Sequence, residues 1–277
     1  MSLPAQVSRL TGAYLAAMAE ELPGRLEGLY LYGSVALGDY HPGDSDIDFV
    51  AVLPEPREPR TLASLAKVHH RLGVEHPVPH FDGIYLDRSE LAVPPYGTTG
   101  PFVTEHRFHP DGGFERVPVT WHSLAQTGVR VHGPRLSDVT IGVDTDLLAD
   151  WTHHNLDQYW RPWWHDASNP LSAKGISCLG AACTVWAVLG VSRLHYTLDT
   201  GRITSKTGAG EYARTIFSAR WHPIIDEALR IRRGTGERAR YLNPIARRTD
   251  LLAYLDMVIE DAHRADPQYR DGNTTMG

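Results

Sequence analysis

The sequence predicts an α+β chain in two halves: an N-terminal domain over residues 1–140, with a small mixed β-sheet and flanking helices, and a C-terminal all-α helical bundle over 141–277. Three observations carry this reading. Short apolar runs of strand character alternate with helical patterns up to about residue 137, the pattern turns wholly helical from Thr145 onward, and Gly and Pro breaks separate the segments. A hydrophobic content of 42% over 277 residues is enough to fill two cores of ordinary domain size.

The elements follow in order. In residues 7–22, Leu10, Tyr14, Ala17, Met18 and Leu22 recur at helical spacing, and Pro23-Gly24 stops the pattern. Residues 26–32 and 47–53 read as buried strands around a Gly-rich stretch, and Pro54, Pro56 and Pro59 close the second. Helical spacing returns over 62–72. A third strand is expected at 80–86, HFDGIYL, and the Pro/Gly-rich stretch 94–113 after it reads as a long loop of the kind that is often functional. In the second half, 151–165, 172–198, 205–217, 223–233 and 246–264 predict helices, and the polar tail 271–277 is expected to fray.

Composition narrows the function. A net charge of −6 argues against a broad binder of nucleic-acid phosphates, and no apolar run approaches the length of a membrane span. The opening MSLPAQVSRL lacks the charged and apolar regions of a secretory signal, so a cytoplasmic location is expected. Cys178 and Cys183 sit in an apolar helical stretch, where they read as small hydrophobes and not as a disulfide framework. The sequence sets no oligomeric state and is compatible with a monomer.

The chemistry concentrates in residues 32–53, YGSVALGDYHPGDSDIDFVAVL. On an extended strand, positions i and i+2 share a face, so Asp46 and Asp48 present two carboxylates side by side while Ile47 turns to the core. That pairing suits a hard divalent cation such as magnesium, which is normally held by one or two carboxylates plus nucleotide phosphates. Gly33-Ser34 at a strand end suits a phosphate, because glycine admits close backbone approach and a serine hydroxyl donates. An ordinary capped turn also explains Gly43-Asp44-Ser45-Asp46, and the residues alone leave both readings open. Asp82 adds weight: an acid inside an apolar strand is unfavourable unless paired or coordinated, and there it would share a metal or act as general base.

Other features carry two readings each. Trp186 lies seven positions before Arg193 on one helix face, and lines either an acceptor pocket or the core. The aromatic cluster 160–165 is either a stacking wall or an apolar wedge. Arg230, Arg232 and Arg233 suit an anion or simply the C-terminus of their helix, within an arginine-rich segment 220–248. His153-His154 and the His106 and His109 pair have no companions at zinc spacing.

Gly33-Ser34, followed twelve positions later by Asp46-x-Asp48 and then by an acidic residue on a later strand, resembles the signature of the nucleotidyltransferase superfamily that includes DNA polymerase beta. More narrowly, the stretch resembles the N-terminal motif of the aminoglycoside adenylyltransferases of the streptomycin and spectinomycin type. GVSRLHYTLDTGRITSKTGAGEYA, residues 190–213, resembles that family's C-terminal segment. The resemblance implies that Asp46, Asp48 and Asp82 hold two Mg2+ ions and that Gly33, Ser34, Arg193 and Lys206 bind the phosphates of ATP. Asp82 would be the catalytic base, activating an acceptor hydroxyl that takes AMP as pyrophosphate leaves. The family's acidic contact to the drug falls at or near Cys183, and its usual catalytic Glu is the shorter Asp82. The expected acceptor is an aminoglycoside or aminocyclitol antibiotic; the alternatives are the same chemistry on another metabolite, or a non-catalytic nucleotide-binding regulator. No nucleic-acid or membrane partner is expected.

Overall fold

The central strands are buried on both faces, and this organises the N-terminal half. In the computed structural model, which describes residues 3–234 and 236–265, the chain divides after Asp144 into two compact units, each described on its own. Thr235 and the tail 271–277 lie outside the described residues.

The first unit runs α1 (Ala5–Glu21), β1 (Gly28–Tyr32), the single turn α2 (Gly33–Ala36), β2 (Ile47–Val52), α3 (Pro59–Glu75) and β3 (Phe81–Leu86). It continues with the short α4 (Arg88–Leu91), β4 (Phe102–Thr104), β5 (Arg107–His109), α5 (Pro118–Thr127) and β6 (Val129–His132). The six strands form one mixed sheet in the order β5-β4-β3-β2-β1-β6. Strands β2 and β3 are parallel, with α3 as their crossover, and the other neighbours are antiparallel. On one face Leu29, Leu31, Ile47, Phe49, Ala51, Phe81 and Tyr85 pack with Tyr14 and Met18 of α1 and Leu65, Val68 and Leu72 of α3. On the other, Tyr30, Tyr32, Val50, Val52, Ile84 and Leu86 pack with Leu91, Trp121 and Leu124. Cover on both faces is why β1 to β3 read as near-continuous apolar runs.

The stretch 94–113 is not all loop, as the sequence suggested. It contains the hairpin β4–β5, whose two-residue turn is Glu105-His106, with φ of 49° and 60°. Left-handed backbone at both central positions is the pattern that suits a tight hairpin, yet it is usually supplied by Gly or Asn, so nothing in the residue types announced it. Strand β6 was missed too, being four residues long and only half-buried.

The second unit is helical. Helix α6 (Thr145–Asn155), a five-residue wide turn at Leu156–Trp160 and α7 (Arg161–Ser168) form one interrupted run. Then come α8 (Ala173–Ser177), α9 (Ala181–Thr200), α10 (Lys206–Ile216), α11 (His222–Arg233) and α12 (Pro244–Ala265). The single helix expected over 172–198 is therefore two. Ser172 caps α8 by accepting from the Gly175 N–H at 2.9 Å, and Gly180 takes the extended conformation that starts α9. The cysteines flank this break, not a continuous helix: both are free thiols, and the Sγ atoms are 3.3 Å apart.

Helix α9 is the core element, packed against α10, α11 and α12 through Ala187, Val188, Leu189 and Val191. Its buried polar groups are satisfied across those contacts. Ser192 Oγ and Tyr254 OH are 2.7 Å apart, while His195 meets Tyr212 OH at 2.9 Å and Asp261 at 3.1 Å. Much of the arginine-rich segment is engaged internally: Arg230 clasps buried Glu227 with two bonds of 2.8 Å, Arg233 meets Glu211, and Arg248 donates to the Ala167 and Ser168 carbonyls at the end of α7. No helix among the described residues is long and apolar enough to cross a membrane.

A buried polar chain in the first unit gives a pH prediction. His69 Nε2 lies 2.5 Å from Tyr85 OH, which is 3.0 Å from Tyr14 OH, and the imidazole stacks on Phe49. Burial, reinforced by nearby His106, pushes His69 from 6.5 down to about 3. Between these values the unfolded chain binds the extra proton, so stability present above pH 6.5 is lost as pH falls toward 3, by up to about 1.4 kcal/mol per pH unit. Denaturant unfolding at stepped pH should show a shallower acid slope for His69→Gln than for the parent; an unchanged slope would mean that other groups set it.

Candidate active site

The β2–β3 register builds the site. Asp48 pairs directly with Asp82, and Ile47 with Phe81, so both acids fall on the sheet face that carries Tyr30, Tyr32, Val50 and Ile84. They stand at the end of that apolar surface, where the strands begin. Asp46 immediately precedes β2 and is solvent-exposed, while Asp82 is only 8% exposed.

Asp46, His80 and Asp82 each bring a ligand atom to within 4.8 Å of the others. Among the described residues this is the one group of three or more His, Cys, Asp or Glu side chains so arranged. The sequence reading placed Asp48 in the group and overlooked His80. The Asp48 carboxylate lies against Gly33, where a Cβ would collide with its Oδ2. Gly33 also has φ of 63°, so a side chain is excluded there both by conformation and by contact. Ser34 opens the same turn, and its hydroxyl lies 3.5 Å from the Asp46 carbonyl. Gly33, Ser34, Asp46, Asp48 and Asp82 are thus brought to one corner of the first unit, as the sequence anticipated.

Burial drives the Asp82 carboxyl from 3.8 up to about 6; the Asp46 charge adds to this, while the backbone N–H groups of Glu105 and His106 and the nearby His80 oppose it. The two opposing N–H groups belong to the left-handed hairpin turn. Asp82 Oδ1 remains buried without a hydrogen-bond partner. An acceptor held in that condition fits a divalent cation, as does the oxygen-rich donor set around it. On the neighbouring strand Tyr32 donates to Glu115 Oε2 at 3.3 Å, and Thr120 donates to the same atom at 2.8 Å. Burial, followed by the charges of Glu115 and Asp48, raises the Tyr32 hydroxyl well above its ordinary range. His80 was findable in the sequence, since it lies two residues before Asp82 on the same strand face; the contribution of Glu105 and His106 comes from backbone and was not.

Arg193 and Lys206 belong to the second unit. Arg193 is half-buried on α9, and Lys206 is the first residue of α10, directly after the capping Ser205. Trp186 sits in an aromatic nest, 4.6 Å from Trp160 and 4.9 Å from Trp163 between ring centres, and packs against the helical core. Gly190 makes room for the Trp160 ring, with which a Cβ at that position would clash.

Residues 14–80 match the nucleotidyltransferase domain family. Together with the sheet and its strand-end carboxylates, this marks the first unit as a nucleotidyltransferase domain. Residues 174–250 match the aminoglycoside adenylyltransferase C-terminal domain, so the chain carries the two domain matches in order, one in each half. Arg193 and Lys206 lie within the second match; Asp82 lies just beyond the first. The crystal structure of spectinomycin adenyltransferase AAD(9) from Enterococcus faecialis with ATP and spectinomycin aligns with 91% of this chain and 99% of that chain, with a TM-score of 0.63 and 14% identity. At that identity the likeness is one of fold. No curated protein sequence matches the chain.

The raised Asp82 carboxyl has a stability consequence. A folded value of about 6 against 3.8 means that its favourable contribution is complete below pH 3.8 and is lost as pH rises through 6. Above that the buried charge is a burden on the metal-free protein. Asp82→Asn should therefore stabilise the EDTA-treated chain at pH 7.5 by about 1–3 kcal/mol in urea unfolding; destabilisation would mean the carboxylate is held by contacts stronger than its burial cost.

Proposed function

We propose that this chain transfers AMP from magnesium-bound ATP to a hydroxyl of an aminoglycoside or aminocyclitol antibiotic, with release of pyrophosphate. The observation that carries the proposal is the buried, unpartnered oxygen of Asp82 beside Asp46, in strand register with Asp48 and at the Gly33-Ser34 turn. A regulator that only binds nucleotide has no use for a costly buried acid of this kind.

In this reading the triphosphate lies against the turn at Gly33 and Ser34, where the absent side chain at Gly33 leaves room for backbone and hydroxyl donors to meet phosphate oxygens. Asp46, Asp48 and Asp82 would hold two Mg2+ ions, which when bound neutralise charge on the phosphates and orient the α-phosphorus. Asp82 takes the proton of the acceptor hydroxyl as its oxygen attacks that phosphorus, and pyrophosphate departs on the opposite side. Ionised Asp82 is the competent form. Arg193 and Lys206 serve the ATP phosphates as fixed cations. The cytoplasm, which supplies ATP and keeps thiols reduced, is the proposed compartment.

A second reading keeps the chemistry but gives it a non-antibiotic metabolite. It is favoured by Cys183, whose thiol contacts Cys178 where the family places an acidic contact to the drug.

Mass spectrometry of an aminoglycoside panel that includes streptomycin and spectinomycin, incubated with protein, ATP and magnesium, tests both. The expected product is heavier by one AMP and absent with Asp82→Asn, while calorimetry shows that variant still binding ATP within about threefold of the parent. A panel with no product would leave the antibiotic assignment without support, and full activity of Asp82→Asn would remove Asp82 as the base. Arg193→Ala and Lys206→Ala should each weaken ATP binding about tenfold or more; unchanged affinity in both would withdraw them from the phosphate site.

A further inference from the structure

We infer that His80 is a nitrogen ligand to the divalent cation held by Asp46 and Asp82, and that this tunes the centre toward Mn2+ over Mg2+. The inference rests on the reading of this corner as a metal centre, and deepens it by naming a ligand and an ion preference.

Strand geometry brings His80 there. The Ile47 N–H donates to the His80 carbonyl at 2.9 Å, which carries the β2–β3 register back one residue and sets His80 beside Asp46. His80 immediately precedes β3 and Asp82 is its second residue, so along this extended backbone the two share a face. Three side chains from two adjacent strands therefore converge, with ligand atoms all within 4.8 Å.

The spacing suits a shared ion better than a direct contact. His80 Nδ1 and Asp46 Oδ1 are 3.5 Å apart, longer than a good charge-assisted hydrogen bond. Two ligands bound at about 2.0–2.2 Å and at right angles to one ion stand about 3 Å apart, so a small inward movement of side chains closes the set. Both groups can move: the His80 side chain is 37% exposed and that of Asp46 is 55% exposed. Asp82 is the fixed member. It is buried on its strand and keeps an unpartnered Oδ1.

The neighbouring imidazole supports His80 without competing for the ion. The His106 ring meets His80 edge-on at 5.1 Å, its Nε2 lies 3.2 Å from the Pro77 carbonyl, and its Nδ1 is buried. A carbonyl only accepts, so His106 carries its proton on Nε2 and is anchored by it.

The donor type sets the preference. Mg2+ is a hard ion that favours oxygen and dehydrates reluctantly, whereas first-row transition ions accept imidazole. Of these, Mn2+ also tolerates carboxylate and phosphate oxygens in octahedral geometry, and so takes a mixed set of one nitrogen and two carboxylates alongside a triphosphate.

The test uses the full chain, stripped with EDTA and loaded with Mn2+ and inorganic tripolyphosphate, which contains no nitrogen. Pulsed electron paramagnetic resonance reads 14N coupling to the bound Mn2+, and calorimetry gives the Mn2+ and Mg2+ affinities. The parent and His106→Gln should show the nitrogen coupling. His80→Gln and His80→Asn, checked for unchanged thermal unfolding, should lose it, with Mn2+ affinity falling about tenfold or more and Mg2+ affinity by less than about threefold. Coupling that persists in both His80 variants, or equal losses for the two ions, would overturn the inference. If Mn2+ binds and AMP is transferred but the parent shows no nitrogen coupling, only the role of His80 falls. If neither ion binds and no AMP is transferred, the metal-centre reading falls with it.

Discussion

The parallel pairing of β2 with β3 is the constraint on which the site depends. Strand side chains alternate, so a slip of one residue would send Asp48 and Asp82 into the face packed by α1 and α3 and bring Phe49 and Phe81 out. The apolar cores on the two faces forbid that slip. Hydrophobic packing over the length of the strands thereby fixes the position of carboxylates that do not pack at all. The same pairing sets His80 beside Asp46, so the donor set around Asp82 is a consequence of register and not of local turn chemistry.

Two costs meet at this corner. Asp82 is buried with one oxygen unsatisfied, and Glu105 and His106 are held in a conformation that most residues avoid. Neither is needed for the fold, since an apolar or amide side chain and a Gly-containing turn would serve the sheet better. Their coincidence is the physical argument for function. Gly33 makes the same point from the other side, because its missing side chain is what leaves room for Asp48. In the helical unit the buried Ser192, His195 and Glu227 are each satisfied by named partners.

Much of this was legible in the sequence, for identifiable reasons. Strands β1 to β3 are long, apolar and bounded by Pro or Gly, and Asp46, Asp48 and Asp82 were conspicuous because acids are out of place at the head of such runs. The hairpin β4–β5 and strand β6 were hidden, because three or four residues carry too little periodicity to register and Glu-His does not signal a tight turn. The break in the helix expected over 172–198 was hidden for another reason: Gly180 within an apolar stretch reads equally as a tolerated helical glycine or as a helix start. The seating of Asp48 against Gly33, with Asp46 joining His80, depends on side-chain directions that strand spacing alone does not fix.

The hairpin β4–β5 lies at the outer edge of the sheet, with β5 as its last strand. Yet its turn supplies the two backbone donors that temper the proton affinity of Asp82. The basicity of the central acid is therefore adjusted from the periphery, by residues that need never touch either substrate. Exposed Glu105 and Arg107 occupy positions where sequence drift would ordinarily be neutral. Here a change that loosens the turn would withdraw both donors together, and the chemistry would be retuned with every side chain of the site still in place.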